Sequence, residues 1–381
     1  MIHQAQDAIV ADILNKADKG IDISVEEGIC LIRQQDLTAR KAIAQTANYL
    51  RQKQAGDNVT YVINRNINFT NICEQHCSFC AFRRDASEAG SFWLDIEEII
   101  DKASKAVKIG ATEICMQGGL NPQAKIGGKS LNYYLNIVKQ LKSKFPQLHL
   151  HAFSPQEIQF IAREDSISYE KALLALKEAG LGSMPGTAAE ILDDRVRKII
   201  CPEKINSDTW LEIISLAHSL GIPTTSTMLA GHVETPTQQI EHLAKLRSLQ
   251  QKAVARNYPA KITEFIILPF VGQEAPAPIR HRVGRNQPDV PDVLHLTAIA
   301  RIFLGNWITN HQPSWVKIGI EGAKQALLCG CNDIGGTLME EHITTMAGAK
   351  GGTCMSVADL QQAICSINRP DRQRDTLYHY V

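Results

Sequence analysis

In VTYVINRNINFTNICEQHCSFC, residues 59–80, a β-rich run leads directly into three closely spaced cysteines. Cys73, Cys77 and Cys80 follow the spacing C-x3-C-x2-C. Three thiols are too many for one disulfide and one too few for a closed structural zinc site, which takes four ligands. The stretch therefore predicts a strand followed by a metal-binding loop, and it raises the question of what supplies a fourth ligand.

Short β-rich runs alternate with longer amphipathic stretches along the rest of the chain. About eight such β/α units over about 280 residues favour an α/β fold, a TIM-type (β/α)8 barrel, over an open doubly wound sheet. Chemistry is then expected at the carboxyl ends of the strands, where the cysteines lie. The runs that predict strands are 59–70, 112–117, 148–153, 182–186, 223–229, 263–270, 315–320 and 331–336.

The sequence predicts that the chain consists of three parts. Residues 1–55 predict an N-terminal helical extension, residues 56–365 the barrel, and residues 366–381 a C-terminal tail. The proline-rich segment 271–292 is long for a loop in a compact domain, and both a substrate-contacting lid and a solvated loop are open interpretations. It carries four basic side chains: Arg280, His281, Arg282 and Arg285.

Composition and charge narrow the class of protein. The 381 residues are 44% hydrophobic, as is typical of a globular protein. The 40 Lys and Arg residues balance the 40 Asp and Glu residues, and this absence of net charge argues against binding to nucleic acid or to an acidic membrane surface. The N-terminus lacks the apolar core of a signal peptide, and the chain has no apolar run long enough to span a bilayer. We expect a cytoplasmic protein whose ten cysteines are free thiols, ligands or nucleophiles.

Two kinds of site suit the three cysteines. A structural zinc site could recruit His76 or a remote cysteine, although His76 lies inside the short loop, where it could hardly complete a tetrahedron. The alternative is an iron–sulfur cluster held by three thiolates, which leaves one iron open to an external ligand. An open iron is what a catalytic site needs, just as catalytic zinc keeps a free position.

The cysteine spacing, with Phe79 before the last cysteine and a strand before the first, resembles the signature of the radical S-adenosylmethionine (SAM) family. The resemblance implies a TIM-type radical SAM barrel in which Cys73, Cys77 and Cys80 bind a 4Fe–4S cluster. It further implies S-adenosyl-L-methionine at the open iron, where one electron releases a 5′-deoxyadenosyl radical that abstracts hydrogen from substrate.

The same resemblance assigns the cofactor-binding residues. Gln117, Gly118 and Gly119 match the glycine-rich segment whose backbone meets the methionine amino group in that family. Gln replaces a Gly at the first position and Leu120 stands where Glu is common, so only the backbone role carries over. Glu190 resembles an acidic residue that contacts SAM in the biotin-synthase-like subgroup, and a helix N-terminal carboxylate is the alternative interpretation.

Longer matches point to the deazaflavin-forming members of the family. PGTAAEILDD at 185–194 and NDIGGTLMEE at 332–341 carry this resemblance. It implies a transferase that cleaves L-tyrosine and transfers its 4-hydroxybenzyl group to 5-amino-6-(D-ribitylamino)uracil in coenzyme FO biosynthesis. It also implies an unidentified electron donor and leaves open a partnership with the other FO synthase subunit.

Two alternatives remain open on sequence. Aminofutalosine synthase and dehypoxanthine futalosine cyclase of menaquinone biosynthesis share many of these motifs, and a zinc-stapled scaffold without activity would belong to another class. No catalytic side chain beyond the cluster site is assigned. Polar residues at predicted strand ends are substrate-contact candidates, with ordinary loop polarity as the other explanation: Asn68, Thr70, His232, Glu234, Asn332, Asp333 and Glu340.

Overall fold

The computed structural model describes residues 2–381, with side chains described from residue 8 onward. Residues 2–55 form three helices, α1 (Ile2–Asp18), α2 (Val25–Ile32) and α3 (Leu37–Ala55). The first barrel strand follows in two pieces, β1 (Val59–Val62) and β2 (Asn64–Ile67). None of the helices in the described part of the chain is long and apolar enough to cross a membrane.

The remaining elements continue the strand and helix alternation. The other strands are β3 (Glu113–Met116), β4 (His149–Ala152), β5 (Thr224–Ala230), β6 (Ile262–Pro269), β7 (Asn310–Pro313), β8 (Asp333–Gly336) and β9 (Asp371–Gln373). The other helices are α4 (Ile96–Lys108), α5 (Ser130–Lys144), α6 (Pro155–Asp165), α7 (Tyr169–Ala179), α8 (Asp194–Ile200), α9 (Ser207–Ser219), α10 (Pro236–Ala255), α11 (Ala277–Val283), α12 (Val290–Leu304), α13 (Trp315–Leu327), α14 (Ile343–Met346) and α15 (Val357–Cys365).

The strands form a ring. Three parallel ladders, in the orders β8-β1-β9, β2-β3-β4 and β5-β6-β7, supply most of it. Ser183 and Met184 make single parallel bridges to β4 and β5 and so occupy the fourth position. The N–H of Asn332 donates to the carbonyl oxygen of His311 at 3.1 Å, which joins β7 to the start of β8. The predicted (β/α)8 arrangement is confirmed.

Helix α4 illustrates why the helices cover this ring. Asp95 and Glu98 form a capping box that satisfies backbone donors at the start of the helix. Ile99, Ala103 and Ala106, spaced by four and three residues, are buried on one face. Full burial of a side chain such as that of Ile99 contributes about 1.5–3 kcal/mol.

The prediction of the seventh strand from the sequence was wrong. Residues 315–320, WVKIGI, alternate apolar and polar residues as a strand does, but they form the first part of α13. The seventh strand is instead the polar segment NHQP, held in the ring by pairing with β6. Residues 182–186 make only isolated bridges, and segment 271–292, expected to be a loop, contains α11 and the start of α12.

The last residues close the amino-terminal end of the barrel. Strand β9 pairs in parallel with β1, and the chain then sends Arg374 into the lumen. The Arg374 guanidinium contacts both carboxylate oxygens of Asp333 and lies 3.4 Å from a carboxylate oxygen of Glu264. The Tyr378 hydroxyl also donates to Glu264. The segment expected to be a C-terminal tail is therefore an integral floor of the barrel.

Replacing Arg374 with Met tests how much the ion pairs at the amino-terminal end of the barrel contribute to stability. The variant leaves Asp333 and Glu264 buried without their cation, so we expect it to lose about 3–5 kcal/mol of unfolding free energy. Urea denaturation followed by circular dichroism measures the loss. Arg372→Met, at an exposed position of β9 two residues earlier, is the matched control and should change stability by less than about 0.5 kcal/mol. Equal losses in the two variants would contradict the role of Arg374.

Candidate active site

The three cysteines lie in the loop after β2, at the carboxyl end of the barrel. Cys77 is buried, Cys73 and Cys80 are half-buried, and all three line one pocket of about 380 Å3, called here the upper pocket. The same pocket is lined by Gly118, Gly119, Glu157, Glu190 and Lys204, among others. The motif residues that are far apart in sequence therefore surround one space.

Backbone contacts fix the cysteine loop against the segment that follows α8. The Ser78 N–H donates to the carbonyl oxygen of Ile200 at 2.8 Å, and Gln75 Nε2 donates to the carbonyl oxygen of Glu203 at 2.8 Å. The His76 side chain is 55% exposed, and its Nδ1 lies 3.5 Å from the Glu203 carboxylate. His76 thus faces away from the upper pocket, on the solvent side of the loop.

The donor set of the upper pocket fits an iron–sulfur cluster. Among the described side chains, no three His, Cys, Asp or Glu groups converge where a single metal ion could sit. A 4Fe–4S cubane does not require such convergence, because each thiolate binds a different iron. Three thiols around one pocket, with no fourth cysteine lining it, match a cluster that keeps one iron accessible.

The glycines after β3 pack directly against the cysteine loop. A Cβ on Gly118 would lie 2.5 Å from the Phe69 ring, and one on Gly119 would lie 2.2 Å from the carbonyl oxygen of Ile72. The Gly119 N–H donates to the carbonyl oxygen of Thr70 at 2.8 Å. Only glycine fits at this close approach, so the backbone itself forms part of the pocket wall.

Glu190 and Lys204 form a buried ion pair on the same wall. Nζ of Lys204 lies 2.7 Å from Oε1 of Glu190. Burial opposes both charges, but the Lys204 ammonium holds the pKa of Glu190 below its ordinary value. Burial likewise opposes the Lys204 charge, and the Glu190 carboxylate nevertheless raises the pKa of Lys204. Both groups are therefore ionised at neutral pH.

Arg197 holds the turn that presents Glu190. Its buried guanidinium donates to the carbonyl oxygens of Ala189 at 2.6 Å, Ala188 at 3.2 Å and Ile205 at 3.0 Å. Ala188 and Glu190 have φ angles of 62° and 46°, in the left-handed region that residues with a Cβ rarely adopt. The guanidinium therefore stabilises a strained turn from beneath, instead of contacting the pocket.

Glu157 is a second buried carboxyl group on the pocket wall. It accepts hydrogen bonds from the Ser154 N–H at 2.7 Å and hydroxyl at 2.8 Å, and from the Gly118 N–H at 3.2 Å. Burial raises the pKa of Glu157 to about 7, against the lowering effect of these donors. Glu157 thus ties the start of α6 to the glycine segment and can hold a proton near neutral pH.

A smaller cavity of about 140 Å3, called here the lumen cavity, lies below the upper pocket inside the ring. Glu113, His151, Glu264, Arg374 and Thr376 contribute to its lining. The two cavities share lining side chains, so they are adjoining parts of one space along the barrel axis. The shared residues are Gln117, Thr187, Thr227, Ile266, Leu268, Gln312 and Leu338.

The predicted cofactor residues lie together, but the seven substrate-contact candidates do not. Gln117, Gly118, Gly119 and Glu190 line the upper pocket beside the cysteines. None of the seven candidates lines either cavity: Asn68, Thr70, His232, Glu234, Asn332, Asp333 and Glu340.

The candidates that follow the first and fifth strands hold neighbouring loops. Asn68 Nδ2 donates to the carbonyl oxygen of Gln117 at 3.1 Å, and the Thr70 hydroxyl donates to that of Phe92 at 2.8 Å. His232 is satisfied within its own turn, accepting from the Val233 N–H at 2.7 Å. The Glu234 carboxylate caps the same turn, accepting from the His232 N–H at 2.9 Å.

The candidates around the eighth strand lie on other surfaces of the barrel. Asn332 and Asp333 stand at the amino end of β8, away from the carboxyl ends of the strands where substrate contacts were expected. Glu340 pairs with Arg65 at 2.7 Å and Lys102 at 2.6 Å, on the side of the ring covered by α4.

Sequence reasoning did not single out Glu157, Lys204 or the lumen residues. Ser154 and Glu157 have the spacing of a capping box, which signals a helix start and gives no sign of a pocket. Lys204 looks like any loop lysine. A charged residue inside an apolar predicted strand does indicate a polar site in the barrel lumen. Glu113 in TEICMQ and Glu264 in TEFIILPF are such residues. Burying a carboxylate costs free energy unless partners compensate for its charge.

Comparison with known proteins identifies the family of this chain. Residues 67–246 match the family model of the Radical SAM superfamily, and residues 262–381 match that of the CofH/MqnC C-terminal region. A Nostoc protein named 5-amino-6-(D-ribitylamino)uracil–L-tyrosine 4-hydroxyphenyl transferase is 67% identical over 97% of this chain and 94% of its own. The protein of the same name from Trichodesmium erythraeum is 65% identical over 100% of both chains. The chain belongs to this transferase family.

Solved structures similar to this member of the transferase family share its fold. The [FeFe]-hydrogenase maturase HydG has a TM-score of 0.71 at 14% identity, covering 96% of this chain and 76% of its own. Methylornithine synthase PylB has a TM-score of 0.69 at 16% identity, covering 94% and 97%. At these identities the likeness shows the radical SAM barrel alone.

The ion pair of Lys204 and Glu190 leads to a prediction about stability. Lys204→Met leaves Glu190 buried and unpaired, so we expect a loss of about 3–5 kcal/mol of unfolding free energy, and Lys204→Met with Glu190→Gln should recover part of it. Urea unfolding of the reduced, cluster-free chain measures both. Lys105→Met, which removes a partner from the exposed pair with Asp101, is the control and should change little. A double variant no more stable than Lys204→Met would contradict the coupling.

The raised pKa of Glu157 predicts a pH dependence. The folded chain binds this proton more tightly than the unfolded chain, so between pH about 4.5 and 7 its contribution to stability is lost as pH rises. That contribution amounts to about 3 kcal/mol. Glu157→Gln should therefore flatten the pH profile of unfolding free energy in this window. Glu170→Gln, at an exposed position of α7, should keep the parent profile, and parallel profiles for all three chains would exclude the effect.

Proposed function

We propose that this chain is a radical SAM transferase that cleaves L-tyrosine and joins its 4-hydroxybenzyl group to 5-amino-6-(D-ribitylamino)uracil. The observation that carries the proposal is identity of 65–67% over nearly the full length to relatives named for this activity. The geometry supports the proposal, since the three thiols, the two glycines and Glu190 surround one pocket of about 380 Å3.

The residues of the upper pocket would hold the cofactors. Cys73, Cys77 and Cys80 would bind a 4Fe–4S cluster, and the backbone of the Gln117–Gly119 segment with Glu190 would bind S-adenosyl-L-methionine. When bound, the two supply the one-electron chemistry that produces a carbon radical able to remove a hydrogen atom from substrate. The cation of Lys204, beside the buried Cys77, opposes the cost of burying negative charge there.

The chain also offers a partner for the amino-acid end of tyrosine. Lys317, on α13, lines the upper pocket, and no carboxylate of the described residues lies within 4.0 Å of its ammonium. Burial lowers the pKa of Lys317 to about 8, so most of it is protonated at neutral pH. Lys204, by contrast, is already paired with Glu190. Lys317 would therefore bind the tyrosine carboxylate and orient the side chain toward the cluster.

Two further partners are inferred from the proposed reaction and not from contacts in the structure. An electron donor must reduce the cluster, and the product would pass to the other FO synthase subunit for ring closure. The ten cysteines are all free thiols, which suits a reducing compartment such as the cytoplasm.

Product analysis distinguishes this function from the menaquinone alternatives. Anaerobically reconstituted enzyme is given SAM, a reductant and either L-tyrosine with 5-amino-6-(D-ribitylamino)uracil or a chorismate-derived enolpyruvate. The proposal expects an adduct of the aminouracil and the 4-hydroxybenzyl group from the first set. Turnover of only the enolpyruvate would overturn it in favour of aminofutalosine synthesis, and zinc without labile sulfide would favour the scaffold.

The ligand assignment predicts the effect of removing one thiol. Cys77→Ala should abolish both cluster binding and 5′-deoxyadenosine formation, because the cluster loses one of its three protein ligands. Iron and sulfide analysis and chromatography of 5′-deoxyadenosine measure the two losses. Cys365→Ala, at an exposed cysteine outside both cavities, is the matched control and should retain both. Normal 5′-deoxyadenosine formation by Cys77→Ala would refute the assignment.

A further inference from the structure

The lumen cavity is a polar space that the cofactors do not account for. It lies below the upper pocket, on the side away from the cysteines, and is lined by Glu113, His151, Glu264, Arg374 and Thr376 together with strand residues. Barrel interiors of this fold are usually filled by branched apolar side chains. A cavity of about 140 Å3 has room for about ten groups of the size of a water molecule.

The charges of the lumen cavity restrict what it can bind. The Asn64 amide, which donates to the Glu113 carboxylate at 2.8 Å, and the Arg374 cation help to hold the pKa of Glu113 below its ordinary value although burial opposes this, so Glu113 is anionic. Burial lowers the pKa of His151 to about 4, which leaves it neutral. The Arg374 cation is committed to Asp333 and Glu264. A carboxylate or phosphate would be repelled here, whereas a neutral group rich in hydroxyl donors would be favoured.

One side chain in the cavity lacks a partner of its own. The Thr376 hydroxyl is buried without a hydrogen bond of ordinary geometry, although it lies near enough to Glu113 to help lower the pKa of that carboxyl. The residue is 6% exposed and lines the cavity. A buried hydroxyl without a partner costs free energy unless a ligand supplies the missing bond.

We propose that the lumen cavity binds the ribityl chain of the aminouracil substrate, with the Thr376 hydroxyl and the Glu113 carboxylate as hydrogen-bond partners. The inference rests on the proposed function for the identity of the substrate. The ribityl chain is a neutral polyol of about nine non-hydrogen atoms, which matches the size and the acceptor-rich lining. The uracil ring then lies at the shared wall between the cavities, and the tyrosine carboxylate remains above with Lys317.

Equilibrium binding tests the proposal without requiring turnover. Isothermal titration of the anaerobically reconstituted enzyme with SAM compares 6-(D-ribitylamino)uracil with 6-(methylamino)uracil, which lacks the polyol. The parent enzyme should bind the ribityl compound more tightly. Thr376→Val should weaken binding of that compound by about three- to tenfold, the value of one hydrogen bond, and leave the affinity for the methyl compound unchanged.

Stability and a matched variant separate binding from a structural effect. Thr376→Val keeps nearly the same shape and removes a hydroxyl that has no hydrogen bond of ordinary geometry, so its unfolding midpoint should stay close to that of the parent. Thr112→Val removes another buried, unpartnered hydroxyl that lines neither cavity, and it should bind both compounds as the parent does.

Three results would overturn the proposal: equal affinity of the parent for both compounds, no effect of Thr376→Val, or equal weakening of both compounds by that variant. Failure of the proposed function has a different signature, namely absence of the 4-hydroxybenzyl adduct in the turnover assay. A chain that distinguishes the two compounds without forming the adduct would retain the ribityl subsite and lose the transferase activity.

Discussion

The ion pair between Lys204 and Glu190 links the parts of the structure that form the candidate site. Lys204 comes from the segment that anchors the cysteine loop, and Glu190 comes from the strained turn held by Arg197. Because both charges are buried, each is retained only while the other is in place. The pocket wall thus keeps its shape before any cofactor binds, so less ordering is needed when the cofactors bind.

A second set of charges fixes the opposite end of the barrel. Arg374 neutralises Asp333 and contacts Glu264, and these groups lie among strands whose other inward residues are largely apolar or uncharged. The barrel therefore has buried charged groups at its amino end and the candidate cofactor site at its carboxyl end, with a polar cavity between them. This arrangement separates the place where a radical would form from the place where a polar substrate chain could be held.

Much of this architecture could be predicted from the sequence because hydrophobic periodicity and motif spacing are local properties. The runs at 113–116, 149–152 and 262–269 were predicted within two residues of their observed limits, and the cysteines and glycines were placed at the correct end of the ring. The misplaced strand at 315–320 shows the limit of this reasoning, since its apolar alternation resembles a strand while the real strand is polar. Tertiary pairing with β6 outweighs local preference there.

The parts that could not be predicted depend on contacts between distant residues. Nothing near Lys204 in the sequence indicates that its ammonium meets Glu190, and nothing near Thr376 indicates a position inside the barrel. The same holds for Asp333, whose partner Arg374 is supplied by the last residues of the chain. Pattern analysis finds residues of the right chemistry, but only the closed ring decides which of them face the same cavity.

The position of β1 between β8 and β9 has a consequence for how the protein is made. Both ladder partners of β1, the first piece of the first barrel strand, come more than 270 residues later in the chain, so β1 has no partner while the intervening residues are still being added. Such an unpaired edge is a template for association with other chains. Ring closure must therefore await synthesis of β8 and β9, and until then β1 is open to pairing with other chains.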